Sequence, residues 1–320
     1  MNASVIKVLK KAEINPVLVD VGASGEPPRV WSPIASQSIY LGFDPDLRAM
    51  STTTNGRYQK SVIINSAVTV DPLAAELKFY LTRSPYCSST LPPDNESLSS
   101  YLFADLFEVE RQATVPAVTV TKAAELAGLA HLDWLKTDSQ GTDLRIFESV
   151  SDEVRQGVLA VDIEPGLIDA YVGEDLFVDA HRAMIREGFW LARLEVHGAA
   201  RIATETAGRF IDDTGIHRRV LEAALRPSPG WVEARYLRTA AALEGRSQRE
   251  HVLLWVFAML DTQPGFALEI SEAYAERIGR DALCTAMYEC ARREIGSAAR
   301  RQLPGKLAGA AIRRVRRVMR

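Results

Sequence analysis

Short apolar runs, each stopped by a turn signal, set the pattern of the first two thirds of the chain. Val17 to Val21 leads into a glycine-containing turn, Ser38 to Asp44 repeats the design, and Ser61 to Asn65 is a third run. Leu132 to Asp138 leads into Gly141, and Gly157 to Glu164 is stopped by Pro165-Gly166. Runs of this kind predict strands buried on both faces, as in a parallel sheet. Asp175 to Glu187 has helical periodicity instead, with Leu176, Ala180, Ala183 and Met184 on one face and Gly188 as its cap. Two more strand-like runs, Phe189 to Val196 and Trp231 to Thr239, flank a polar, helix-favouring insertion at about 199–225. Beyond Ala240 the pattern is helical throughout, over His251–Leu260, Ala267–Ile278 and Asp281–Arg300. The alternation predicts an α/β domain over residues 1–240, followed by a helical extension over 241–320.

Composition adds exclusions. With 320 residues, 47% hydrophobic and 25% charged, the chain is an ordinary globular one with ample material for a core. A formal net charge of -3 gives no push toward nucleic acid. No stretch approaches the ~18 apolar residues of a membrane-spanning helix. The opening segment carries Lys7, Lys10 and Lys11 with no long apolar run behind them, so a signal peptide is not expected. Cys87, Cys284 and Cys290 are too scattered for a disulfide framework or a four-cysteine metal site. A reducing, cytoplasmic setting is the expectation.

The candidate chemistry begins at Asp20-Val21-Gly22-Ala23-Ser24-Gly25. Glycines directly after a first parallel strand permit positive φ and let the backbone approach a ligand. Asp44, at the end of the second strand, stands where an acid accepts hydrogen bonds from ribose hydroxyls. Together they would hold an adenosine group. A dinucleotide fingerprint needs a third glycine and a helix that starts at once to face a diphosphate. Here Glu26-Pro27-Pro28 follows, bringing a negative charge and delaying any helix. A phosphate-free cofactor with a cationic sulfonium, S-adenosylmethionine, fits this loop better, with Asp20 placed for its methionine part.

Several blocks then resemble the FkbM family of class I methyltransferases. Val19 to Gly25 looks like its first motif, with Ser24 where Asn is more usual, and Gly42-Phe43-Asp44-Pro45-Asp46 is similar to its acidic-Pro block. Asn65-Ser66-Ala67-Val68 resembles the segment after its third strand. Leu77 to Thr82 with Cys87 to Leu91 looks like its hairpin and serine-pair loop. Leu135-Lys136-Thr137-Asp138-Ser139-Gln140-Gly141-Thr142-Asp143 resembles its Lys-x-Asp-x-Glu/Gln-Gly-x-Glu block, with Asp143 a shortened acid. The resemblance spans about residues 15–240. It implies a Rossmann-like, seven-stranded, mostly parallel sheet with an antiparallel final hairpin. It also implies methyl transfer to a hydroxyl oxygen, often on sugars or natural products, with Asp20, Gly22, Ala23, Ser24, Gly25, Asp44, Ser66 and Asp138 at the cofactor.

Transfer to a hydroxyl needs a base or a metal to take the proton. Lys136 and Asp138 project to one face of a strand; the lysine either holds the carboxylate ionised or is itself a base if its pKa is lowered. Glu164 and Asp162 share a face in the same way, and the expected catalytic set is Lys136, Asp138 and Glu164. Asp138 with Glu164 could bind a divalent ion, though nothing in the sequence demands one. His181 and His197 read mainly as packing or surface residues. The tail Lys306–Arg320 sets Ile312, Val315 and Met319 on one side of a helix among arginines. Such a helix can lie on the inner face of an anionic membrane, but the plainer reading is a solvated helix end or one packed on a partner subunit. A different class of function, a non-catalytic cofactor-binding or assembly module of glycan biosynthesis, fits the same sequence, whereas a nicotinamide-dependent oxidoreductase is disfavoured by the loop.

Overall fold

A computed structural model describes residues 2–45, 56–209 and 215–318, with the backbone alone at 2, 215–218 and 302–318. Two compact units emerge: Asn15–Thr239 is one, and the residues through Ile14 join those from Ala240 onward in the other. The boundary near residue 240 agrees with the sequence pattern. The first fourteen residues do not: they belong with the carboxyl-terminal helices.

Among the described residues the larger unit carries ten strands: β1 (Val17–Val21), β2 (Ile39–Phe43), β3 (Lys60–Ile64), β4 (Ala67–Val68), β5 (Glu76–Thr82), β6 (Val109–Val118), β7 (Trp134–Thr137), β8 (Ala160–Ile163), β9 (Phe189–Ala200) and β10 (Pro227–Arg238). Seven of them form one sheet in the order β3-β2-β1-β7-β8-β10-β9. Neighbours from β3 to β8 are parallel, and β10 runs antiparallel to both β8 and β9. The chain steps outward from β1 to β3, then returns to β7 on the other side of β1. The sheet's switch point therefore lies between β1 and β7, where open parallel sheets bind ligands.

One face of the sheet is apolar. Val19, Val21, Leu41, Leu135, Val161 and Ile163 pack there against Val120 and Ala123, Ile146 and Phe147, and Ala180 and Met184, from three helices at Val120–Leu126, Asp143–Ser149 and Phe177–Arg186. The opposite face carries a row of charges in register: Asp20 beside Lys136, Lys136 beside Asp162, and Asp162 beside Arg235. The signs alternate, and ion pairs close at 3.1 Å (Lys136–Asp20) and 2.7 Å (Arg235–Asp162). Trp31 seals this face edge-on against Tyr40 and Trp134, with ring centroids at 6.4 and 6.0 Å.

The connection from β1 to β2 holds only two three-residue 3-10 turns, Arg29–Trp31 and Ala35–Gln37. Pro27-Pro28 accounts for this, since proline lacks an amide donor and restricts the residue before it. A second, three-stranded sheet, in the order β4-β6-β5, was not anticipated beyond the hairpin implied at Leu77–Thr82. Its central strand β6, mostly exposed over Val109–Gln112 and interrupted by Pro116, lacks the continuous apolar run that marks the main-sheet strands.

The insertion contributes helices at Thr204–Ala207 and Gly215–Ala224, while β9 runs on to Ala200 and β10 begins already at Pro227, so both are longer than the apolar pattern indicated. In the smaller unit, Asn2–Ala12 packs on the helices Gln248–Leu260 and Ala282–Val318. Gln248–Leu260 opens with a capping box of Ser247 and Glu250 and is buried from His251 onward, as an all-round apolar helix must be. No helix among the described residues is long and apolar enough to cross a membrane. The backbone stays helical to Val318, but the side chains of the basic tail lie outside the described residues, as do Asp46 and residues 210–214.

Candidate functional site

The glycine loop after β1 sits tightly against the end of β7. Gly22 has φ +76°, and a Cβ there would lie 2.1 Å from the Asp138 carbonyl oxygen, so only glycine fits. The amides of Gly22 and Ala23 both donate to the Phe43 carbonyl, at 3.0 and 2.8 Å. These donors are spent on β2. With no α-helix following, the loop lacks the amide cluster and dipole that a diphosphate uses.

Lys136 holds the loop from behind. Its Nζ lies 3.1 Å from Asp20 Oδ1, 3.1 Å from the Gly22 carbonyl and 3.4 Å from Asp138 Oδ2. Tyr40 donates to the other Asp20 oxygen at 2.9 Å. Burial alone would lower the lysine's pKa, but the charges of Asp20 and Asp138 outweigh it and push the group above the ordinary lysine range. The lowered pKa that a general-base role would need is therefore not found at Lys136. Burial pushes the Asp20 carboxyl up, against the pull of Lys136 and Tyr40.

A cavity of about 420 Å³ runs along the carboxyl ends of the strands. Six sequence-predicted residues line it: Gly22, Ser24, Asp44, Ser66, Asp138 and Glu164. Four do not. Asp20 and Lys136 are turned to each other beneath the loop, which corrects the expectation that Asp20 reaches a cofactor and that Lys136 touches an acceptor. Ala23 and Gly25 shape the turn without facing the cavity. Asp44, Asp138, Glu164 and Glu174 are its acidic lining, and among the described residues no lysine, arginine or histidine joins them.

Asp138 is held at both oxygens, by Lys136 and by the Gln140 amide at 2.7 Å. Gln140 takes φ +58°, and its Oε1 accepts from the Tyr171 hydroxyl at 2.9 Å. Asp143, whose reach the shortened side chain put in question, points inward. It accepts from the amides of Ser139 and Glu164, each at 2.8 Å, and so ties the β7 turn to the end of β8. Glu164 is pushed up to about 9, by burial first and then by the charges of Asp138 and Asp143. Burial likewise raises Glu174 to about 7. Both carboxyls carry protons well above the usual range.

Other candidates fall outside the cavity. Asp162 is committed to Arg235, with contacts at 2.7 and 2.9 Å. His181 pairs with the Tyr236 hydroxyl at 3.1 Å and stacks on Phe177. His197 stacks on Trp231 and, with Glu195 and Glu233, places three possible ligand atoms within 4.8 Å of one another on the final hairpin. Arg193 already pairs with Glu195 there, and His197 lies 3.2 Å from Glu233. Ser88, by contrast, lines the cavity and accepts from the Thr82 amide, while Ser89 behind it donates to the Gln140 carbonyl, so the serine pair braces the wall.

Sequence reasoning missed the aromatic wall. Phe79, Phe103, Phe107, Tyr171 and Trp231 line the cavity beside the acids. Phe103 stacks with Trp231 at 6.3 Å and meets Phe107 edge-on at 5.2 Å. The closely spaced Tyr101, Phe103 and Phe107 were the available signal. Comparison with known proteins finds no match to this chain, whether among family models, curated proteins or solved structures.

Proposed function

We propose that the protein is an S-adenosylmethionine-dependent O-methyltransferase of the FkbM kind, acting on a hydroxyl of a sugar or natural product. The observation that carries this reading is the cavity's acidic lining: four acids, of which Glu164 and Glu174 hold their protons to about 9 and about 7, and, among the described residues, no base, at the switch point of a parallel sheet. A diphosphate cofactor would meet like charges there, with the Gly22 and Ala23 amides already spent. A sulfonium cofactor meets complementary ones. The antiparallel β10 between β8 and β9 agrees with the final hairpin that the family resemblance implies, and departs from the all-parallel dinucleotide order.

Ser24, Asp44 and Ser66 are the residues that would hold the cofactor, with Asp44 on the ribose hydroxyls. S-adenosylmethionine, when bound, supplies a methyl carbon already activated toward displacement. The chain's part is alignment and proton removal. Asp138, fixed by Lys136 and Gln140, is the proton acceptor from the attacking hydroxyl. Glu164, at the end of β8 in the same cavity, orients the acceptor through its carboxyl.

Calorimetric titration with S-adenosylmethionine and with NAD tests the cofactor: binding of the first and not the second is expected, and the reverse overturns the reading. Labelled methyl transfer to candidate glycosides tests the reaction. Full activity in an Asp138→Ala protein would remove Asp138 from it.

A further inference from the structure

The lining of the cavity is divided along the sheet. Gly22, Ser24, Asp44 and Ser66 follow β1, β2 and β3, whereas Glu164, Glu174, Phe103 and Trp231 gather where β8 meets β10. Gly166, just past β8, bridges Trp231 directly, which joins the loop bearing the two glutamates to the aromatic wall. The polar side of that end is therefore acidic and its apolar side is made of rings.

We propose that the acceptor is a hydroxyl-bearing ring that also carries an ammonium group, its charge toward Glu164 and Glu174 and its ring against Phe103 and Trp231. A cleft lined by one sign of charge between low-dielectric walls concentrates ions of the other sign. An anionic acceptor, such as a phosphorylated or nucleotide-activated sugar, would face four carboxyls and no described base. A neutral ring would use the aromatic wall but leave the glutamates without a cation. An ammonium group next to aromatic edges and carboxyls uses both, and attraction between cations and ring faces adds to it. Burial, with the charges of Asp138 and Asp143, holds Glu164 near 9. The entering ammonium reverses that balance, so Glu164 releases its proton to the buffer as the acceptor binds.

The term acceptor rests on the methyl-transfer reading; selection for the cation does not. Calorimetric titration of the full chain at neutral pH compares three probes: the phenyl glycoside of an aminohexose, its N-acetyl derivative and the parent neutral glycoside. The amine is expected to bind about tenfold more tightly than either, a difference of roughly 1.4 kcal/mol. Its binding heat should vary with the ionisation heat of the buffer. In Glu164→Gln and Glu174→Gln the preference should narrow, and in Glu164→Gln the buffer dependence should shrink as well. Circular dichroism checks that both variants are folded. Equal affinity for the three probes, or no binding by any of them, overturns the proposal. So does a preference that survives in both folded variants. S-adenosylmethionine is titrated separately: amine selectivity without cofactor binding would sink the methyl-transfer reading and leave the cation site standing.

Discussion

Lys136 and Asp20 stand in register on adjacent parallel strands, their charged atoms 3.1 Å apart beneath the glycine loop. Asp20 is buried and Lys136 largely so, and the lysine also holds the Gly22 carbonyl. Removing the cation leaves a buried carboxylate uncompensated. Lys136→Met should therefore lower unfolding stability by about 3–5 kcal/mol. Adding Asp20→Asn removes the stranded charge and should recover a good part of that loss. Urea denaturation of the two variants checks this; a double variant no more stable than Lys136→Met would contradict it.

Gly22 and Gly25 share φ +76°, yet their surroundings differ. A Cβ at Gly22 meets the Asp138 backbone, whereas at Gly25 it meets nothing within 4 Å. Gly25→Ala should cost about 1–2 kcal/mol, the left-handed backbone penalty alone. Gly22→Ala adds a clash with a fixed carbonyl, and should cost more and displace the end of β7. Denaturation midpoints rank the two, and equal costs would show that the loop yields more readily than its packing implies.

The parallel strands of the main sheet were legible because burial on both faces leaves largely apolar runs; β2 is unbroken, and β1 and β8 are interrupted only by Asp20 and Asp162. The missing crossover helix was foreshadowed by Pro27-Pro28. Site residues placed directly after strands, Gly22, Asp44 and Asp138, could be read because a parallel sheet brings its carboxyl ends together. The partner of Lys136 was harder. Along the chain its visible neighbour is Asp138, two residues away, but its shorter contact is Asp20, on another strand. Pairing across strands depends on register, which no local pattern encodes. Trp231 and Phe103 belong to distant segments, so their stacking was beyond the same reading. The opening helix looked like part of the sheet domain because sequence order says nothing of which core a terminal helix joins.

Glu164 gives stability a defined pH dependence. Its pKa rises from an ordinary 4.5 to about 9 in the folded chain, so between those values the folded state binds the extra proton. Stability must then fall as pH rises through that window, the contribution being complete below 4.5 and lost above about 9. Glu174, raised to about 7, adds the same sign over a narrower range. Glu164→Gln removes the titrating group, so its melting temperature should decline less between pH 5 and 9 than that of the native chain. Parallel slopes for the two proteins would place the Glu164 proton elsewhere.

Trp231 is the last wall of the cavity, set between Phe103 on one side and His197 on the other, with ring centroids at 6.3 and 5.6 Å. It lies on β10, on the far side of β8 from the glycine loop. Truncating it should therefore affect the acceptor and spare the cofactor. Loss of a buried aromatic contact costs about 2 kcal/mol, or roughly 30-fold in affinity. Trp231→Ala should raise the acceptor KM by that order while S-adenosylmethionine binds nearly as before. Trp231→Phe keeps an aromatic ring beside Phe103 and should recover most of the difference. Steady-state methyl transfer with each substrate varied in turn separates these effects. A Trp231→Ala protein that loses cofactor affinity and acceptor affinity equally would mean that the wall supports the whole cavity rather than its acceptor end.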